Sequence, residues 1–338
     1  MSSAAPQAAA PGAAASAGPP PVVVLGAGAW GTALAIQAAR AGAAPVLLWA
    51  RDPVRAAAIA ATRENPRLPG RAVPAAVRVT SELPDRAAAW LLAVPMQHLR
   101  GVAARLAPAA PLVCCAKGVE AGTLRLPLEI LAELHPGARA VVLTGPNFAH
   151  EIAAGLPAAA VVAGADAALR AAVTALLASP TFRLYGNDDP VGAQLGGAAK
   201  NVIAIAAGAV MGAGLGENAR AALITRGLAE LGRLAVALGG RAETVMGLSG
   251  LGDLLLTCTG ASSRNYSLGV ALGRGTPLAA VMAQRSAVTE GVATAPALVA
   301  RAGAVDLPIC RAVAAWLEGR ITLHEAIADL LARQLRDE

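Results

Sequence analysis

Val22 to Leu25 is a short branched-apolar run that opens without a break onto Gly26-Ala-Gly28-Ala-Trp-Gly31. The run reads as a buried strand, and the stretch from Gly31 to Ala41 reads as a helix. A Gly-x-Gly-x-x-Gly pattern alone is weak, but between a strand and a helix it becomes a specific constraint. Gly26 permits the tight turn, Gly28 lets backbone approach a pyrophosphate, and Gly31 lets helix and strand pack closely. The helix N-terminus adds unpaired amides for an anion. The competing reading is a glycine-rich turn that holds nothing.

The rest of the chain extends that unit. Branched-apolar runs at Val46 to Trp49, Trp90 to Val94, Leu112 to Cys115, Val141 to Leu143 and Ala159 to Ala163 alternate with Ala-rich helical stretches, one over Ala167 to Leu177. This alternation predicts a parallel sheet with helices on both faces. After Asp189 the strand signals stop, and the remainder reads as helices with Gly-rich turns. The expected fold is α/β plus all-α: a Rossmann-type parallel-sheet domain over residues 21–190, then a helical domain over 191–338. Residues 1–20, almost wholly Ala, Ser, Pro and Gly, read as a disordered tail without the basic and apolar regions of a signal peptide. A hydrophobic content of 56% with 2% aromatic residues means a core of Ala, Val and Leu, in which close backbone packing replaces large rings.

Several function classes recede. The longest apolar stretch, Val202 to Gly216, is too short to span a bilayer and reads as a buried central helix, so no stable membrane insertion is expected. Cys114, Cys115, Cys258 and Cys310 lack metal-ligand spacing, which predicts no metal and a reducing, cytoplasmic compartment. The net charge of +6 comes from arginines spread along the chain with few aromatics to stack bases. Nucleic acid is therefore not expected, and the charge favours small anions.

Of 28 basic residues only Lys117 and Lys200 are lysines. A guanidinium stays protonated, whereas a lysine ammonium loses basicity on burial and can move a proton. Lys117, in Cys114-Cys115-Ala-Lys117-Gly118, ends a strand at the sheet edge where such folds bind ligands. It reads as holding an anion or carbonyl, or as a surface lysine. Lys200 reads as the start of a long small-residue helix at the join between domains, either as an acid–base group or as a lysine snorkelling to the surface. Arg51, at the end of the second strand, pairs with a cofactor 2′-phosphate or is solvated, with Asp52 capping the next helix. NADP(H) is thereby favoured, with NAD(H) as the alternative. His98 reads as the polar face of a helix start. Gly145-Pro146-Asn147 is a ligand-facing turn or an ordinary loop, and Asp253 is a helix cap, a lysine partner or both. Ser263-Arg264-Asn265 combines a helix start, hydroxyls and a guanidinium, as phosphate sites do, or is a capped helix with an exposed arginine. Thr289-Glu290 is a cap with a first-turn acid or a contact to the cofactor ribose.

Taken in order, Gly-Ala-Gly-Ala-Trp-Gly-Thr-Ala, Ala-Lys-Gly, Gly-Pro-Asn-Phe-Ala, Lys-Asn-Val-Ile-Ala, Gly-Leu-Gly-Asp, Ser-Arg-Asn and Thr-Glu-Gly resemble the motif set of bacterial NAD(P)-dependent glycerol-3-phosphate dehydrogenases. The resemblance covers about residues 21–330. It implies reduction of dihydroxyacetone phosphate to sn-glycerol 3-phosphate for phospholipid synthesis, in the cytoplasm, by a homodimer. It further implies cofactor contacts at Ala29, Trp30, Arg51, Ala149, Val288 and Glu290, and also at Lys117 and Arg264. Gly145, Asn147, Asp253, Ser263, Arg264 and Asn265 would line the substrate site with Lys117, and Lys200 would donate and accept the proton. Asn147 stands where Ser or Thr is common, and Gln194 where an acid is frequent. The competing readings are a ketopantoate-reductase-like enzyme acting on a carboxylate-bearing ketone, and a non-catalytic NADPH sensor.

Overall fold

The computed structural model describes residues 18–285 and 289–333, so the tail to residue 17 and Val288 lie outside the described residues. Eight strands form one sheet: β1 (Val22–Leu25), β2 (Val46–Trp49), β3 (Val77–Thr80), β4 (Ala89–Leu92), β5 (Leu112–Cys114), β6 (Ala140–Thr144), β7 (Ala158–Ala163) and β8 (Phe182–Asn187). Their spatial order is β3-β2-β1-β4-β5-β6-β7-β8, and every neighbouring pair is parallel except β6 with β7. The chain turns from one side of β1 to the other between β3 and β4. Val22 accordingly faces Val46 on one side and Ala89 on the other. The crevice beyond the carboxyl ends of β1 and β4 is therefore the switch point at which ligands of such sheets bind.

The central strands bury every residue, which is why they read as continuous apolar runs. The sheet differs from the expectation at its edges, where β3 and β8 did not stand out. Each has only one buried residue at its start followed by partly exposed ones, so neither carries an unbroken apolar run. Two other strands end early: β4 at Leu92, leaving Val94-Pro95 in the following turn, and β5 at Cys114.

The helical half is organised on the Pro190–Gly212 helix. Asp189 caps it by accepting the Gly192 amide at 2.8 Å, and Pro190 fills the first turn, where its missing N–H costs nothing. Lys200 consequently stands in the middle of this helix, not at its start. The helix is long and apolar enough to cross a membrane, yet nearly all of it is buried in the protein, as a core helix is.

Close backbone packing replaces rings here, as the composition requires. A Cβ on Gly208 would lie 2.1 Å from the Tyr266 carbonyl oxygen, and one on Gly269 would lie 2.0 Å from that of Ile205. The Arg264–Gly273 helix thus lies backbone against backbone on the central helix. The two halves are also tied directly. Gln194 accepts the Leu128 amide at 2.8 Å and donates to the Pro190 carbonyl, and Arg301 pairs with Glu129 at 2.6 Å. Gln194 is thus occupied in joining the halves.

Candidate active site

The Gly26–Gly31 turn sits where the first strand meets the Ala29–Ala41 helix, and its glycines answer different demands. Gly26 has φ +112° and a Cβ there would lie 2.9 Å from the Ala93 carbonyl oxygen. A Cβ on Gly31 would fall 1.9 Å from the Gly26 carbonyl oxygen. Both glycines are required by the protein's own packing. Gly28 is different: it has φ −79°, and nothing lies within 4 Å of a Cβ built on it. Open space at the N-cap of a helix with no acidic residue in its first turn fits a bound pyrophosphate.

Ala29 and Trp30 form the first turn of the helix and are half-buried. Arg51 lies just past β2 and is exposed, while Asp52 caps the next helix by accepting the Val54 amide at 3.0 Å. Ala149 opens a short helix after β6. Glu290 begins the Glu290–Ala302 helix, and burial raises its carboxyl above its ordinary value, opposed by Arg264 and the Met96 backbone. A small pocket lies between Glu290 and Thr294 on that helix and Pro95 to His98 on the sheet domain. His98 is exposed on its rim. Thr289 makes no side-chain cap, so of the two readings of Thr289-Glu290 the cap is not realised.

Both lysines converge on one carboxylate. Asp253, 1% exposed, accepts Lys200 Nζ on Oδ1 at 2.5 Å and Lys117 Nζ on Oδ2 at 2.5 Å. Asp253 is the first residue of the Asp253–Thr259 helix and caps nothing, so its side chain is committed to the lysines. Lys117 also donates to the Gly145 carbonyl at 3.2 Å. Gly145 is required there by φ +140° and by Ala160, which would lie 3.0 Å from its Cβ. Lys200 donates additionally to Thr257 Oγ1 at 3.0 Å, and that hydroxyl donates to the Asp253 carbonyl at 2.6 Å. Burial lowers Lys200 from 10.5 to about 8, with Asp253 pulling it up and Lys117 pushing it further down.

Thr257 did not stand out in the sequence, although it lies four residues after Asp253 on one helix and so shares its face. Asn201 was missed as well. It accepts Asn265 Nδ2 at 2.8 Å, while Asn265 Oδ1 accepts the Gly291 amide at 3.0 Å. The Asn265 side chain therefore braces three helices, and what it leaves for a ligand is backbone at a helix start. Ser263 caps that helix by accepting the Tyr266 amide, and Arg264 is exposed in its first turn. Arg285 holds the same turn by donating to the Arg264 carbonyl at 2.6 Å.

Two buried polar atoms at the end of β6 and in the turn that follows it lack a partner among the described residues. They are Thr144 Oγ1, at the end of β6, and Asn147 Oδ1. Asn147 uses its amide nitrogen on the Ala159 carbonyl at 3.2 Å, leaving the oxygen over. Buried polar atoms are normally paired, so these two mark where a ligand with hydroxyl or carbonyl groups would complete the site. No cluster of metal-ligating side chains occurs among the described residues.

Comparison with known proteins agrees with this geometry. Models of the N-terminus and C-terminus of NAD-dependent glycerol-3-phosphate dehydrogenase match residues 21–170 and 189–328. The chain is 57% identical over 318 residues to glycerol-3-phosphate dehydrogenase [NAD(P)+] of Acidiphilium cryptum, covering 93% of this chain and 97% of that protein. It is 54% identical to the enzyme of that name from Gluconobacter oxydans, over 92% of this chain and 96% of the relative. The crystal structure of glycerol-3-phosphate dehydrogenase from Coxiella burnetii superposes with a TM-score of 0.89 at 35% identity, over 93% of this chain and 99% of that one. With a dinucleotide turn at the switch point, two lysines on one buried carboxylate and both family models matched in order, the chain belongs to the NAD-dependent glycerol-3-phosphate dehydrogenase family.

Proposed function

We propose that this chain reduces dihydroxyacetone phosphate to sn-glycerol 3-phosphate with NAD(P)H, supplying glycerol phosphate for phospholipid synthesis. The observation that carries the reading is the shared carboxylate: Asp253 holds a lysine from each half of the protein, and Thr144 and Asn147, at and just after the end of β6, each leave an oxygen unpaired among the described residues. The cofactor, when bound, supplies the hydride. Gly26, Gly28, Ala29, Trp30 and Gly31 would hold its pyrophosphate side, Arg51 a 2′-phosphate, and Ala149, Val288 and Glu290 the remainder. An exposed arginine just past β2 supports a preference for NADPH over NADH.

Lys200 is the proton donor to the developing alkoxide in reduction and the acceptor in the reverse direction. Its lowered basicity suits it to both near neutral pH. Asp253 keeps the ammonium in place, and Thr257 fixes its direction. Lys117, a positive charge at the strand end, stabilises negative charge on the substrate oxygen, while Asn147 Oδ1 would accept a substrate hydroxyl. Arg264, the Ser263-capped turn and the amides of that helix start take the phosphate, so that binding far from the carbonyl aligns it.

Substitution of Lys200 by Arg tests this directly, since it keeps the charge and removes the titration. Dihydroxyacetone phosphate-dependent loss of NADPH absorbance is expected to slow by about 10²- to 10⁴-fold. Retention of most of the turnover would overturn the acid–base role. Ketones bearing carboxylate in place of phosphate are expected to be poor substrates, which separates this reading from a ketopantoate-type reductase. We also propose a cytoplasmic homodimer, for which sedimentation at micromolar concentration is the check.

A further inference from the structure

We infer that Asn65, which lies outside the catalytic cluster, sets the cofactor-binding turn in its anion-accepting orientation. Asn65 is 1% exposed and its carboxamide is fully used. Nδ2 donates to the Ala27 carbonyl at 3.2 Å and to Thr32 Oγ1 at 2.7 Å, while Oδ1 accepts the Arg67 amide at 3.0 Å. Ala27 is the middle residue of the Gly26-Ala27-Gly28 turn, and Thr32 lies in the first turns of the helix that follows. One side chain therefore fastens both sides of the dinucleotide loop.

The segment carrying Asn65 is itself anchored. Arg63 donates through Nε to the Val73 carbonyl at 3.0 Å and through Nη2 to that of Val77 at 2.8 Å, and its own carbonyl accepts the Val73 amide. Asn65 thus reaches the loop from a fold-back tied to β3.

The consequence follows from peptide geometry. All described peptide bonds are trans, so the Ala27 carbonyl and the Gly28 N–H point in opposite directions. Holding the carbonyl on Asn65 turns the Gly28 N–H away from Asn65, and a Cβ built on Gly28 meets no described atom within 4 Å. Without that bond the 27–28 peptide is free to flip, because glycine at 28 tolerates either orientation. A flipped peptide would present a carbonyl oxygen to the pyrophosphate and withdraw a donor. Asn65 is in this sense a positioning residue for the cofactor, and the inference rests on dinucleotide binding at this turn.

The test uses calorimetric titration of the full-length protein and its Asn65→Ala and Asn65→Leu variants with NADPH, ADP-ribose and adenosine 2′-monophosphate, the last lacking a pyrophosphate. Affinity for NADPH and ADP-ribose is expected to fall about tenfold in each variant, and affinity for adenosine 2′-monophosphate by less than about twofold, in keeping with one charge-assisted hydrogen bond. The ratio between ligands is read within each variant, so loss of folded protein cancels. The KM for NADPH should rise by a similar factor, with kcat at saturating cofactor little changed. Equal weakening of all three ligands, or none, would overturn the role of Asn65. Failure of the wild-type protein to bind ADP-ribose would instead overturn dinucleotide binding at this turn, and the inference with it.

Discussion

Lys117 and Lys200 reach the same carboxylate from opposite kinds of structure. Lys117 stands in a turn after β5, followed by Gly118 at φ +138°, and its side chain is 18% exposed. Lys200 stands inside a 23-residue helix and is 11% exposed by side chain, among Ala, Val and Ile. A strand end supplies a ligand-facing position almost for free, since the chain must leave the sheet there anyway. A mid-helix position supplies a fixed direction and a dry environment, and that dryness lowers the basicity of Lys200. The sheet domain contributes a charge and the helical domain contributes a titration.

The difference is sharpest if Asp253 is removed. Asp253→Asn leaves two neighbouring ammonium groups without their shared anion. Loss of one partner from a buried pair typically costs about 3–5 kcal/mol, and that is the expected destabilisation in urea unfolding at pH 7. The wild-type protein itself should gain stability as pH rises from about 8 toward 10.5. Lys200 in the folded state loses its proton near pH 8 while the unfolded chain holds it to about 10.5, so stability gains with pH in that window. In Asp253→Asn the gain should begin at lower pH, because the anion that raises Lys200 is gone; a gain that begins at the same pH in both proteins would mean that Lys200 is not the titrating group.

Next in size is the seam that holds the Lys200 helix in place. Gly208→Ala puts a methyl group 2.1 Å from the Tyr266 carbonyl oxygen, so the two helices must separate. Overpacking of this kind costs about 1–3 kcal/mol. Turnover should fall along with the melting temperature, because Arg264 and Asn265 sit on the helix that moves. Gly197→Ala probes the same helix from the other half: its Cβ would lie 3.2 Å from Lys117 Cγ and 3.3 Å from Thr144 Oγ1. Here the expected stability loss is under about 1 kcal/mol, since the lysine stem can give way. The KM for dihydroxyacetone phosphate should nevertheless rise, because Lys117 is pushed off Gly145 and Asp253.

How much was legible follows the same division. The dinucleotide turn, Lys117 and the Gly145–Asn147 turn could be placed because each follows a strand with a buried apolar run that is visible in sequence. The edge strands β3 and β8 were not, because half-exposed strands mix polar with apolar residues and lose that signature. Lys200 reads as a helix start in the sequence, but the helix runs unbroken through Gly196 and Gly197 before it. They are contact glycines: a Cβ on Gly196 would lie 2.3 Å from the Ser249 carbonyl oxygen. The true start was written as Asp189-Pro190, a cap followed by a first-turn proline. Asn65 and Thr257 could not be singled out by type alone, since their roles come from partners far away in sequence or across a helix turn.

Gly28 gives the smallest effect on the fold and the cleanest separation of packing from ligand binding. Gly31→Ala must disturb the first strand and helix, because its methyl group would sit 1.9 Å from the Gly26 carbonyl oxygen. Gly28→Ala meets no atom of the described residues within 4 Å and needs no left-handed backbone, so the fold should lose under about 1 kcal/mol, the scale of a poorer N-cap. The same methyl group would nevertheless project into the space assigned to the pyrophosphate. Melting temperature near that of wild type, together with weakened ADP-ribose binding, is the expected pair of results. Unchanged ADP-ribose affinity would mean that the ligand does not approach Gly28, and the sheet domain's glycines would then serve packing alone.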